Sequence, residues 1–304
     1  MWQFWRDTIG IGPQGHVRLR SGDWNDVILR LLDYPPGQVK AEAESVYNSA
    51  LAAWALPIFA GTMEKIGEDA LAQEARSTAD QLREAVREAW NGKWFRRAIG
   101  PEGAIIGDDA LWLEVQPWAM LCGAASDEQA NILISNIKKY CCEDAPLGPR
   151  IRVSIDGEGA TGDFMPGTGL AGGTWNTVNM LLLWAVRDRD PEFAWQLWEQ
   201  LSLANHIRHY PKQWSGTLSA TDSYNSPESY NPGGAYVIEG VAAAQTYPVN
   251  NAHAHTHLLL GLLRLMGVEP GSNGTMNIPD PGLISWKSKA ACFGPDNPLN
   301  SGAS

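Results

Sequence analysis

The strongest constraint on the fold is an alternation between two kinds of helical stretch. One kind is apolar on nearly every side. Val46, Leu51, Trp54, Ile58 and Phe59, with small Ala and Ser between them, run through Val39–Ile66, and Trp175–Arg187 has the same character. The other kind is amphipathic: over Glu68–Trp90, Leu71, Ala75, Ala79, Leu82 and Val86 share one face and Glu and Arg occupy the other. A helix that is apolar all round must be buried, and one with a single apolar stripe forms an outer wall. Inner and outer helices in pairs predict an all-α fold, an (α/α)6 toroid-type barrel rather than a four-helix bundle. About eight helices are expected, so the barrel is read as incomplete, with long loops on one rim.

The remaining elements are placed by their punctuation. Pro35-Pro36-Gly37 ends a first aromatic-rich unit, and Pro57 is expected to kink the helix that contains it. Further helices are predicted over Asp109–Cys122, from Ser126 to about Cys141, over Glu192–His206 and over Asn251–Met266. The single strand expected is Arg150–Ile155. Two long irregular segments, Glu143–Gly173 and His209–Gly234, are read as functional loops. Residues 1–270 form the barrel in this reading and 271–304 an irregular C-terminal segment.

Charge and composition exclude several classes. A net charge of −11 with no basic run argues against a nucleic-acid partner. The longest apolar stretches, around Ala50–Ala60 and Leu258–Met266, are too short to span a bilayer, so no membrane partner is expected. The opening residues lack a signal-peptide layout. Cys122, Cys141, Cys142 and Cys292 show no metal spacing, and a reduced, cytoplasmic compartment follows. The 14 Trp suit a cleft that stacks on sugar rings.

Among the motifs, Ser21-Gly22-Asp23-Trp24-Asn25-Asp26 stands out. It puts two carboxylates, an amide and an indole at one loop-to-helix corner. An indole can stack on a sugar ring, amide and carboxylates can bind hydroxyls, and one carboxyl can serve as general acid or base. An Asp/Asn-rich helix cap with a packing Trp is the competing reading. Gly167-Thr168-Gly169-Leu170-Ala171-Gly172 matches the dinucleotide fingerprint but lacks the preceding strand, so no nicotinamide cofactor is expected. Its glycines can still bring backbone N–H groups to an anion. Of His253, His255 and His257 only the first and last share a helix face, and no acid accompanies them; they are read as polar packing, and no metal is expected. Four clusters of carboxylates with aromatics remain: Asp23/Trp24/Asp26, Asp108/Asp109/Trp112/Glu114, Asp156/Glu158/Asp163 and Asp222/Tyr224/Glu228/Tyr230. Gathered at the ends of inner helices they would line a sugar cleft.

Four segments, in order, resemble the cellobiose/chitobiose phosphorylases, inverting glycoside phosphorylases with an (α/α)6 catalytic barrel. They are Ser21–Asp26 with Glu44-Ser45-Val46-Tyr47; Lys93-Trp94-Phe95-Arg96-Arg97-Ala98; Glu114-Val115-Gln116-Pro117-Trp118-Ala119; and Pro166-Gly167 with Gly172-Gly173. The resemblance implies that Asp26 is the general acid and that inorganic phosphate, the co-substrate, attacks the anomeric carbon from the opposite face. It also implies a small saccharide bound by Asp23, Trp24, Asn25, Gln116 and Trp118, to which the loop cluster adds Glu228, and phosphate bound by Gly172, Gly173 and Thr177, with no other cofactor. A homodimer is the assembly to test. Two departures accompany the match. Ala171 and Thr177 stand where the family has an amide and a histidine, and the family's N-terminal β-sandwich, linker and first barrel helices have no counterpart here.

Two other functions compete. An inverting hydrolase on the same barrel would place a second carboxyl about 6.5–9.5 Å from Asp26, with Glu228, Asp163 and Glu114 as candidates. A truncated barrel could instead bind sugar or a partner without turnover.

Overall fold

The computed structural model describes residues 2–25, 28, 34–154, 165–217, 220–235, 253–270, 275–277, 286–287 and 292–293. Nine helices of seven residues or more lie among them: α1 (Pro36–Glu42), α2 (Val46–Lys65), α3 (Asp69–Glu88), α4 (Val115–Leu121), α5 (Asp127–Asn136), α6 (Asn176–Val186), α7 (Pro191–Gln200), α8 (Leu203–His209) and α9 (His253–Leu265). α2 packs against α4, α4 against α6, and α6 against α9, which makes one inner row. α3 lies on α2 and α7 on α6 from outside. The fold is thus all-α, an arc of paired inner and outer helices in an (α/α) toroid.

Sequence accounts for each layer. α3 turns Ala72, Ala75, Ala79, Leu82 and Val86 inward at helical spacing and keeps its charges in solvent. α6 buries eight of its eleven residues, as an inner helix must. Three indoles of the inner row, Trp54 of α2, Trp118 of α4 and Trp184 of α6, meet with ring centroids 5.3 to 6.3 Å apart, mostly edge to face. α5 starts from a capping box, in which Ser126 and Gln129 satisfy each other's backbone N–H groups.

Short strands do the positioning. Val17–Arg18 (β1), Glu44–Ser45 (β2), Ala98–Ile99 (β3) and Ile105–Ile106 (β4) form an antiparallel sheet in that order. Ser45 sits opposite both Val17 and Ala98. The sheet therefore brings the ends of three sequence motifs to one place: the corner after β1, the start of α2, and Arg97 just before β3.

Three expected helices are shorter or divided. Asp109–Cys122 is not one helix: Ala110–Trp112 forms strand β5, and α4 begins only at Val115. A helix starting at Asp109 would carry Pro117 in its interior, whereas α4 holds it in the first turn, where a missing N–H costs nothing. Val39–Ile66 breaks at Ala43, and α2 starts afresh with the Ser45 hydroxyl accepting the N–H of Asn48. Glu192–His206 divides at Leu201 because Ser202 caps a new helix. The expected strand near Arg150–Ile155 is present as Arg152–Ser154 (β6), paired antiparallel with β5.

Candidate active site

The corner is built on a buried ion-pair network. The Arg97 guanidinium donates through Nη1 and Nη2 to the Asp23 carboxylate at 2.8 and 2.7 Å, and through Nε to Glu114 Oε1 at 2.8 Å. All three side chains are sealed from solvent. Asp23 receives two further bonds, from the Ser45 hydroxyl at 2.7 Å and from the Asn25 N–H at 2.9 Å. Asn25, itself fully buried, points its amide toward Glu114 Oε1. The Tyr47 ring lies 5.5 Å from the guanidinium, and burial pushes its phenol up to about 12.

Arg97 does not serve its two carboxylates equally. Burial pushes Asp23 up, but the charge and paired hydrogen bonds of Arg97, with Ser45 and Asn25, outweigh it and hold Asp23 below its ordinary 3.8. Burial dominates at Glu114 and raises it above 4.5, because Arg97 gives it a single bond and its Oε2 has no hydrogen-bond partner among the described residues. Asp23 is therefore a fixed anion that pins the corner.

Linkage gives opposite signs for the two acids. A depressed folded pKa stabilises above the unfolded value and is lost as pH falls through the folded value; a raised one stabilises below the unfolded value and is lost as pH rises through the folded one. Acidification from neutral toward about pH 4.5 should thus move the unfolding free energy of the wild type upward relative to Glu114→Gln. Below about pH 3.8 the wild type should lose stability relative to Asp23→Asn. Denaturant titrations across that range check both slopes; a flat difference for Glu114→Gln would contradict the assignment.

The corner touches the glycine-rich loop. Trp24 meets Trp175 edge to face at 5.1 Å, and the Trp175 indole N–H donates to Gly169 O at 2.9 Å. The loop is knitted by Gly173 N to Gly169 O at 3.0 Å and by Ser226 N to Gly167 O at 2.8 Å. Gly167 has φ +72, and a Cβ there would lie 2.6 Å from Ser229 N; glycine is required by this close approach.

Other expected site residues fall in several environments. Gln116 is buried with its amide committed to backbone: Oε1 accepts from Phe95 N, and Nε2 donates to Phe95 O and Trp112 O. It fixes the segment that carries Arg97. Trp118 packs among Trp54 and Trp184. Glu228 is half exposed and pairs with Arg150 at 3.3 Å. Gly172 adopts φ +106, Gly173 packs on the Gly169 backbone, and the Thr177 hydroxyl stands 3.5 Å from His257 Nε2. Asp26, Asp156, Glu158 and Asp163 lie outside the described residues. Arg97, Ser45 and Trp175 were absent from the expected site set; the first two lay within the quoted motifs, and only long-range pairing reveals their role.

Among the described residues no helix is long and apolar enough to cross a membrane. The family model described as glycosyl hydrolase 94 superfamily, catalytic domain, matches residues 4–187, more than half of the chain. A 3-O-beta-D-glucopyranosyl-beta-D-glucuronide phosphorylase of Paenibacillus borealis is 29% identical over 146 residues, 46% of this chain and 18% of that protein. A cellobionic acid phosphorylase of Neurospora crassa is 30% identical over 133 residues, 42% of this chain and 16% of that protein. The matched stretch is thus less than a fifth of either relative's length. In fold, the chain is similar to a GH78 family rhamnosidase of Bacillus sp. GL1, with TM-score 0.53 and 16% identity over 93% of this chain and 25% of that one. An uncharacterized conserved protein from Thermus thermophilus gives TM-score 0.52 at 14% identity over 77% of this chain and 53% of that one.

Proposed function

This chain belongs to the glycosyl hydrolase 94 superfamily, and from that premise we propose that it carries the acid side of an inverting glycoside phosphorylase. The observation that supports this most is the Asp23–Arg97–Glu114 network. It draws on three of the four motif segments and fixes the backbone immediately before Asp26. In this reading Asp26 protonates the glycosidic oxygen as the bond from it to the anomeric carbon breaks. Inorganic phosphate forms the new bond from the opposite face, so the product is a glucose 1-phosphate of inverted configuration. Asp26 is left as the carboxylate and regains its proton in the next cycle.

Asp23 does not compete for the acid role, since four donors hold it ionised and out of solvent. Trp24 and Trp175 line the sugar site by stacking, and the Gly172–Thr177 stretch faces phosphate, with His257 beside Thr177. Gln116 and Trp118 act on substrate through the wall they build. The names of both relatives specify a glucoside whose other sugar is acidic, a glucuronide and cellobionic acid. We carry that class to this chain: a β-linked glucoside of a sugar acid.

Incubation with cellobionic acid, a glucosyl glucuronide and cellobiose, with and without phosphate, tests the reading. Glucose 1-phosphate should appear only with phosphate, and faster from the acidic glycosides. Free glucose formed at an equal rate without phosphate would replace it with hydrolysis.

A further inference from the structure

The described residues bury three arginines, and two have a carboxylate. Arg97 holds Asp23 and Glu114, and Arg150 pairs with Glu228. Arg152 is only 7% exposed and has no ion pair among the described residues; its buried Nε has no hydrogen-bond partner. Asp109 and Glu114 act on it through space, and no carboxylate among the described residues is hydrogen-bonded to it, so a buried guanidinium with an unmet Nε donor needs an explanation.

Its surroundings give one. Arg152 on β6 lies opposite Trp112 on β5, and its guanidinium stacks 4.8 Å from the indole centroid. Stacking fixes the plane of the group and leaves its N–H edge for a ligand in that plane. Trp112 is two residues from Glu114, and the Arg152 carbonyl lies against Gly172, where an added Cβ would sit 3.4 Å away. The backbone of Arg152 thus runs beside the glycine loop while its side chain lies over Trp112, two residues from the acid corner's Glu114, and corner and loop meet through Trp24 and Trp175.

We propose that Arg152 binds the carboxylate of the substrate's acidic sugar, and so sets specificity for a uronate or aldonate. The fork of N–H donors matches a carboxylate in bidentate fashion. One guanidinium balances a monoanion. Asp109 and Glu114 also act on Arg152, so a phosphate dianion would be repelled there more strongly than a monoanion, and the neighbouring Arg150 is engaged by Glu228.

The inference rests on the reading of the chain as glycoside-processing, but binding needs no turnover. Calorimetric titration of wild type and Arg152→Gln with glucuronate, glucose and inorganic phosphate tests it. Glucuronate should bind the wild type and weaken at least about tenfold in Arg152→Gln, with glucose and phosphate unchanged. Loss of phosphate binding instead, equal weakening of all three, no change for glucuronate, or no glucuronate binding to the wild type would each overturn it. Arg152→Lys keeps the charge and loses the fork, so it should weaken glucuronate to a smaller degree; it decides the matter should Arg152→Gln fail to fold. Turnover of acidic glycosides with no Arg152 effect on glucuronate overturns this inference alone. Arg152-dependent binding without glucose 1-phosphate overturns the phosphorylase reading alone.

Discussion

Arg97→Met is expected to destabilise the fold by about 3–5 kcal/mol, the cost of leaving buried charge uncompensated. The substitution keeps much of the side chain's length and removes the one cation among the described residues that touches both Asp23 and Glu114. Neither carboxylate can reach water, since both side chains are fully buried. Both would then favour the protonated form, and the loss should be largest at neutral pH and shrink on acidification. Adding Asp23→Asn and Glu114→Gln removes the stranded charges, so the triple variant should recover part of the loss despite having fewer hydrogen bonds. Urea unfolding of the single and triple variants measures this. A loss below about 1 kcal/mol for Arg97→Met would mean that the pairs behave as surface salt bridges. Because Asn25 leans on the same network through Asp23 and Glu114, the corner before Asp26 should lose its fixed geometry as well.

Much of this architecture was legible in the sequence, and the reason is periodicity. α3 and α6 show their outer and inner roles directly, because twenty and eleven residues repeat a pattern. Strands of two or three residues cannot show alternation, so β1 to β4 and β5 are visible only once their partners are in place. β5 is instructive. Ala110-Leu111-Trp112 reads as helix in isolation, and its pairing with Arg152–Ser154 makes it a strand. The site divides in the same way. Asp23, Trp24 and Asn25 form one local cluster and could be found, whereas Arg97 lies 74 residues from Asp23 and 17 from Glu114. Arg152 gave no signal, since the burial of a charge is defined by what surrounds it.

Asp26→Asn is expected to lower kcat for glycoside phosphorolysis by about 10²–10⁴, the usual worth of a general acid, with a much smaller change in KM. The two acids of the corner allow a sharp contrast. Asp23 is held by Arg97, Ser45 and Asn25, so Asp23→Asn should act through stability and the placement of the corner. Asp26 is the acid in the proposed reaction, so its loss should appear in the chemistry. A substrate whose leaving group needs no proton separates these roles. With β-glucosyl fluoride and phosphate, fluoride departs unaided and glucose 1-phosphate still forms, so Asp26→Asn should approach the wild-type rate. Asp23→Asn should remain impaired with either substrate, since a displaced corner misplaces the sugar whatever its leaving group. The fall of kcat/KM at high pH, where the wild-type acid loses its proton, should also be absent in Asp26→Asn. Equal loss on the glycoside and the fluoride would remove Asp26 from the acid role and leave it a binding residue of the corner.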